Sequence, residues 1–270
     1  MHVSLPSICL RLLVSLLGVA TALAAESSSA DLVIYGGTPA GVAAAVQAAR
    51  MGAKVILLEP GPQLGGLTTG GLGASDVGDK RMVGGIAREF YRRIHDYYRD
   101  PAHWTHETRE DYLPRHPLNV TEATRQHWFF EPHVASKIID ELVGEAKVTV
   151  HLNARLNRAT GVTRDRSRLT ALTLRDGRTF RAATFIDATY EGDLLAAAGC
   201  DYHVGRESTG TYGETWNGVQ TGVLHHKHHF GAVKRKISPY IIPGDKKSGL
   251  LPRISADPPG EYGAGDHRVQ

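Results

Sequence analysis

The sequence predicts an α/β domain built on a Rossmann-like parallel sheet with an inserted β-meander, and three observations predict it. Two short apolar runs, residues 31–35 and 54–58, flank an alanine-rich stretch. A strand, helix and strand within about 30 residues form a βαβ unit, whose strands must be parallel. The glycine-rich turn Gly36-Gly37-Thr38-Pro39-Ala40-Gly41 joins the first run directly to the helix. Further along, Asp176-Gly177 separates two more strand-like runs, a hairpin signal that a strictly alternating α/β chain would lack.

Each element follows from its own residues. Ordered structure is expected to begin with the strand at 31–35. Residues 42–51 are rich in alanine, the best helix former, and Gly52 stands where a helix C-terminus takes glycine. The second strand ends at Glu59. Residues 61–85 read as irregular and glycine-rich. Ile86, Phe90 and Ile94 recur at the spacing of one helical face. Residues 100–126, polar and carrying Pro101, Pro114 and Pro117, read as an excursion over the surface. Val134, Ile138 and Leu142 mark a helix over 132–146, with a strand over 148–152 straight after it. Beyond the hairpin, a separate short strand is expected at 184–187 and a helix at 192–198. The expected domains are a leader at 1–25, a nucleotide-binding domain at 31–205 with an insertion over about 76–130, and the start of a substrate or cap region at 206–270.

Composition narrows the function classes. Of 270 residues 41% are apolar, enough for a substantial core, and the net charge of +3 is too small and scattered for nucleic acid binding. Arg11 precedes an apolar run from Leu12 that closes on Ala22-Leu23-Ala24, the pattern of a cleaved export signal. Cleavage would leave Ser27, Ser28 and Ser29 as a loose terminus, in an exported (periplasmic or secreted) protein without a membrane span. Only two cysteines are present, Cys9 in the leader and Cys200, so a four-thiolate cluster is excluded. Cys200 follows three alanines and a glycine and is expected to be a buried packing thiol. The run His225-His226-Lys227-His228-His229 reads as a loop rather than a metal site, because adjacent histidines seldom converge and Lys227 repels a cation.

The chemistry centres on Gly36. A helix N-terminus leaves backbone N–H groups unpaired and carries partial positive charge, so it favours a pyrophosphate. Gly36 permits the tight turn and Gly41 close packing of helix on sheet. Thr38 replaces the middle glycine of the usual G-x-G-x-x-G pattern, and its hydroxyl is a candidate donor to phosphate. Pro39 suits the first helical turn. Glu59, at the end of the second strand, is placed to accept hydrogen bonds from ribose hydroxyls and to disfavour a 2′-phosphate. The segment from Gln63 to Gly71, with Gly65, Gly66 and Thr68, suits a long cofactor that continues past the pyrophosphate, which favours FAD over NAD.

Four segments together resemble the bacterial FAD-dependent oxidoreductase family: Val33-Ile-Tyr-Gly-Gly-Thr-Pro-Ala-Gly41, Leu64-Gly-Gly-Leu-Thr-Thr-Gly-Gly-Leu72, Phe130-Glu-Pro-His133 and Ile186-Asp-Ala-Thr-Tyr-Glu-Gly-Asp193. Residues 205–208 and 263–270 are similar too, so the resemblance runs over about 31–270. That family is related to the flavin-binding part of heterodisulfide reductase, and its fold is of the glutathione-reductase type, an FAD/NAD(P)-binding domain. The resemblance implies FAD as cofactor. Gly36, Thr38, Pro39, Ala40 and Gly41 would hold the pyrophosphate, and Glu59 the ribose. Gly65, Gly66 and Thr68 would line the path to the flavin, with Leu156 at the adenine and Ala188 and Thr189 closing over the nucleotide. It also implies an N-terminal fragment, since family members are about twice as long, as two-domain flavoenzymes are. Glu191, Arg206 and Glu207 are the catalytic candidates; Asp187 and Asp193 read as structural. The expected reaction is hydride transfer between flavin and a small organic or carbohydrate-like substrate, with an electron acceptor that the sequence does not name. The alternatives are a non-catalytic nucleotide-binding remnant and a secreted polysaccharide-degrading enzyme.

Overall fold

The computed structural model describes residues 27–205, 207–215, 217–218, 238–252 and 254. The leader, Arg206, the histidine run and residues 263–270 lie outside the described residues. Those up to Ala198 form one compact unit, and those from Gly199 on form a second.

The first unit is a six-stranded sheet carrying helices. Strand β1 (Ser27–Tyr35) leads through helix α1 (Pro39–Arg50) to β2 (Val55–Leu58), then to the short helix α2 (Gly66–Thr69) and α3 (Gly85–Tyr97). The inserted segment holds α4 (Arg109–Arg115) and a small ladder of β3 (Val120–Thr121) and β4 (Gln126–His127). Helix α5 (Pro132–Glu145), β5 (Thr149–His151), β6 (Val162–Asp165), β7 (Arg168–Thr173), β8 (Thr179–Asp187) and α6 (Asp193–Ala197) complete it. The strand order is β5-β2-β1-β8-β7-β6. The first four run parallel, and β8-β7-β6 is the antiparallel meander.

Burial on both faces explains the continuous apolar runs. Side chains alternate across a strand. Leu32, Ile34, Val55 and Leu57 therefore face Val42, Val46, Ile94, Val134 and Ile138 of α1, α3 and α5. Val33, Tyr35, Ile56 and Leu58 face the other way, toward Leu156, Phe180 and Leu194. Helix α1 is closed by a Schellman motif. Gly52, at φ 94°, donates to Ala49 O at 2.9 Å and Ala53 to Ala48 O at 3.1 Å.

Several expectations are corrected. The hairpin arm after Gly177 and the strand expected at 184–187 are one strand, β8. It pairs antiparallel with β7 at its start and parallel with β1 along its length. Strand β1 includes Ser27 to Ala30, ahead of the expected start at residue 31, because these residues pair with Thr179 to Ala182 of β8. The polar segment is not wholly superficial: Asn119, Gln126, His127 and Trp128 are all buried, around aromatic packing. Cys200 is exposed, not buried. The five-residue α6 is too short to enclose its surroundings, and Leu194 is its one buried residue. In the second unit a bridge joins Tyr240 to Leu250, and Ile241 and Ile242 stay exposed. Among the described residues no helix is long and apolar enough to cross a membrane.

Candidate functional site

The strand order reverses at β1: the chain leaves β1 for β2 on one side, while β8 lies on the other. In open α/β sheets a crevice opens at such a point, beyond the carboxyl ends of the strands. Here it is bounded by the Gly36 turn and by Ala188 and Thr189 after β8. Gly36 sits at φ 107°, and a Cβ there would lie 2.6 Å from Ala188 C and 2.7 Å from Thr189 N. A Cβ on Gly41 would overlap the Gly36 carbonyl oxygen. Glycine is thus required at both ends of the turn, by backbone conformation at one and by backbone contact at the other.

Thr38 caps α1, accepting the Gly41 N–H at 3.3 Å. Its own proton goes to the Ala188 carbonyl at 2.7 Å, not toward a phosphate. The hydroxyl therefore straps the turn to the β8 loop, and backbone amides are left to meet an anion. Helix geometry leaves the Ala40 N–H without an intrahelical acceptor, and Pro39 has no N–H to satisfy. Glu59 lies at this turn. One carboxylate oxygen accepts the Gly37 N–H at 2.6 Å, and the other the Gly61 N–H at 2.5 Å. Each oxygen keeps a free lone pair, so ribose hydroxyls can bind without displacing these bonds. A glycine cradle, orphan amides and an anchored carboxylate fit the adenosine diphosphate half of FAD.

The segment after Glu59 is tied to the turn by the Gly65 N–H, which donates to Gly37 O at 2.7 Å. Gly66 begins α2 at φ 48°, beneath the Tyr190 hydroxyl, which accepts the Leu67 N–H at 2.9 Å. Tyr190, which sequence reasoning did not single out, thus holds the start of α2. Thr68 lines a small apolar cavity of about 120 Å³ with Pro39, Val42 and Ile86. Leu156 is buried in the core, and its N–H donates to the Tyr35 hydroxyl at 3.0 Å. Of its two backbone polar groups the carbonyl is the one left for an adenine amine. Thr189 is occupied locally, its hydroxyl donating to Asp187 at 2.7 Å and accepting the Asp193 N–H at 3.0 Å. Asp187 also accepts the N–H of Thr189 at 2.9 Å and of Leu195 at 2.7 Å, a structural role. Asp193 faces Arg158 at 3.4 Å.

The catalytic candidates fare differently. Glu191 is exposed on the loop between β8 and α6. Glu207 belongs to the second unit and accepts a hydrogen bond from Asn217 at 3.0 Å, which holds its carboxyl below the usual range. Neither shows a feature that singles it out for chemistry. Arg206 lies outside the described residues.

A second cavity, of about 450 Å³, opens within the first unit, in the inserted segment. Tyr98, Trp104, Tyr112, His127, Phe129 and Glu131 help to line it, together with Gly71 and Gly73 from the loop that leaves the crevice. Sequence reasoning quoted Gly71 and Glu131 within the Leu64–Leu72 and Phe130–His133 motifs without assigning them to a cavity, and it missed the others.

Solved structures resemble the chain only remotely. A 3-ketosteroid-Δ4-(5α)-dehydrogenase from Rhodococcus jostii is 20% identical, with a TM-score of 0.38 over 70% of this chain and 52% of that one. A flavin-containing monooxygenase from Stenotrophomonas maltophilia is 18% identical, with a TM-score of 0.36 over 60% and 38%. An L-amino acid deaminase from Proteus vulgaris is 12% identical, with a TM-score of 0.40 over 63% and 50%. The chain thus spans about half or less of their lengths, and likenesses this remote carry no substrate across. No curated protein matches it. Residues 31–252 match the model of the family described as FAD dependent oxidoreductase. This stretch holds the Gly36 turn, Glu59 and both cavities, and the chain belongs to that family, whose cofactor is FAD.

Proposed function

We propose that the protein is a flavoenzyme of the glutathione-reductase fold type that exchanges hydride with a small organic or carbohydrate-like substrate, passing electrons to a separate acceptor. In this reading the chain is the N-terminal, nucleotide-holding part of a longer, exported protein, akin to the flavin-binding part of heterodisulfide reductase. When bound, FAD supplies the hydride-accepting ring. The chain's own residues do the holding. The amides of Thr38 and Ala40 face the pyrophosphate, since Pro39 has no N–H and that of Gly41 goes to the Thr38 hydroxyl. Glu59 takes the ribose hydroxyls, and the loop from Gly65 to Gly73 guides the cofactor away from the turn. The carrying observation is the carboxylate of Glu59 held 2.6 Å from the Gly37 amide, within the turn itself.

Denaturing the purified protein and identifying the released chromophore tests the reading. FAD at near one equivalent, taken up again on reconstitution, is the expected result. Glu59→Ala should weaken FAD binding by about 10- to 100-fold, since it removes hydrogen bonds to a charged acceptor. Protein that neither carries nor takes up FAD would sink the proposal.

A further inference from the structure

The second cavity has the size of a small-molecule site, since such pockets run from about 300 to 1,000 Å³. Aromatic rings make up much of its wall, with the rings of Trp104 and Tyr112 at 5.1 Å and those of Tyr98 and Trp104 at 5.5 Å. Among the described residues, no lysine or arginine lines it. Glu107 lines it but is paired with Arg115. A carboxylate or phosphate entering this space would meet acidic groups and, among the described residues, no lysine or arginine.

His103, Thr105 and His106 also line the wall, but two groups in it have an unmet donor or acceptor that the hydrogen bonds fix. The first is His127, only 3% exposed. Its tautomer follows from its neighbour Asn119. The N–H groups of Trp128 and Phe129 both donate to Asn119 Oδ1. That fixes the amide orientation, so Asn119 Nδ2 donates to His127 Nε2 at 3.0 Å and to the Tyr112 hydroxyl at 2.6 Å. Nε2 is the acceptor, and the proton sits on Nδ1, which has no hydrogen-bond partner among the described residues. The second group is Glu131. Its Oε2 accepts the Tyr98 hydroxyl at 2.8 Å, and its Oε1 has no partner among the described residues.

We infer that this cavity binds a neutral, hydroxyl-bearing ring, stacked on Trp104 and Tyr112 with a hydroxyl between His127 Nδ1–H and Glu131. A hydroxyl both accepts and donates, so it satisfies the two groups together. An ammonium carries only donors and would oppose the His127 N–H. A hydrocarbon would leave both polar groups unmet. The loop carrying Gly65 and Gly66 continues into the cavity wall at Gly71 and Gly73. Phe130 donates to Gly73 O at 2.9 Å, and Ser75 to Trp128 O at 3.1 Å. Calling the bound ring the substrate rests on the proposed function; the binding itself does not.

Saturation-transfer NMR on the whole protein tests this with methyl glycosides of several hexoses and pentoses, a matched uronic acid and a matched amino sugar. The neutral glycosides should give signals, Trp104→Ala should weaken their binding by at least tenfold, and Glu131→Gln by about fivefold. FAD content should stay unchanged in both variants. Glu131→Gln keeps the side-chain shape and preserves the test if Trp104→Ala misfolds. Silence from every neutral probe, preference for the acid or the amine, or binding that neither substitution moves would overturn the inference. Glycoside binding by a protein that never takes up FAD would leave this inference standing and remove the proposed function alone.

Discussion

The crevice at Gly36 and the cavity beside Trp104 are built by opposite means. The crevice is made of backbone: glycines at forced conformations, orphan amides and strand ends in register, with one carboxylate pinned by two amides. The cavity is made of side chains: five aromatic rings and a histidine oriented by a buried asparagine. A backbone-built site leaves no room for substitution, because an added atom meets main chain that cannot step aside. A side-chain-built site keeps its shape through hydrogen bonds and burial, and is therefore sensitive to charge and to pH. Each difference can be tested at a single residue.

The largest effect is expected at Gly41. An alanine Cβ would overlap the Gly36 carbonyl oxygen, so α1 and the turn after β1 must separate. Overpacking of this kind costs about 3 kcal/mol or more when rigid backbone is the obstacle. Gly41→Ala should lower the urea midpoint sharply and abolish FAD uptake. Retention of both would mean that the turn is far softer than its geometry implies.

A somewhat smaller effect, of a different kind, is expected from His127. Burial holds its imidazole neutral down to about pH 4, against an ordinary value of 6.5. As pH falls from 6.5 toward 4 the unfolded chain takes up a proton that the native protein does not. Native stability therefore falls across that window, by up to about 3 kcal/mol, and is fully regained above pH 6.5. His127→Gln, which can still accept the Asn119 hydrogen bond, should flatten this limb in urea titrations at stepped pH. The contribution of Glu89 lies in a separate, more acid window. The Arg50 guanidinium beside it holds its carboxyl down at about 2, so its share is complete above the ordinary 4.5 and lost as pH falls toward 2. An unchanged slope between pH 4 and 6.5 in the His127 variant would place the titrating group elsewhere.

The same contrast explains what could be read in the amino-acid string. Gly36, Gly41 and Glu59 were legible because conformation and contact dictate residue identity there, and their spacing is local. The Asp176-Gly177 turn was legible for the same reason. The continuity of β8 was not, because an alternating pattern does not say whether a hairpin arm goes on to pair with a distant strand. Ser27 to Ala30 gave no signal because three serines and an alanine carry no apolar run, while their pairing partners in β8 lie some 150 residues away. Thr38 was read as a phosphate donor because its acceptor, the Ala188 carbonyl, is 150 residues away. Asn119 and His127 look like ordinary polar residues beside a proline-broken stretch, Glu131 stood in a quoted motif with no role given to it, and only tertiary contact brings all three to one cavity.

The smallest expected effect sharpens the comparison by reversing its sign. Gly144 lies near the end of α5 with helical backbone, exposed, and a Cβ built there meets nothing within 4 Å. It accepts the Lys147 N–H through its carbonyl at 3.0 Å, a bond alanine retains. Gly144→Ala should therefore stabilise the protein by about 0.5–1 kcal/mol, through helix propensity and a less flexible unfolded chain. The replacement is chemically identical to the one at Gly41, so propensity and unfolded-state terms are shared in kind. The difference in outcome then measures the close approach of α1 to the Gly36 carbonyl. If both substitutions shifted the urea midpoint in the same direction by similar amounts, close backbone packing would not be what requires glycine at Gly41.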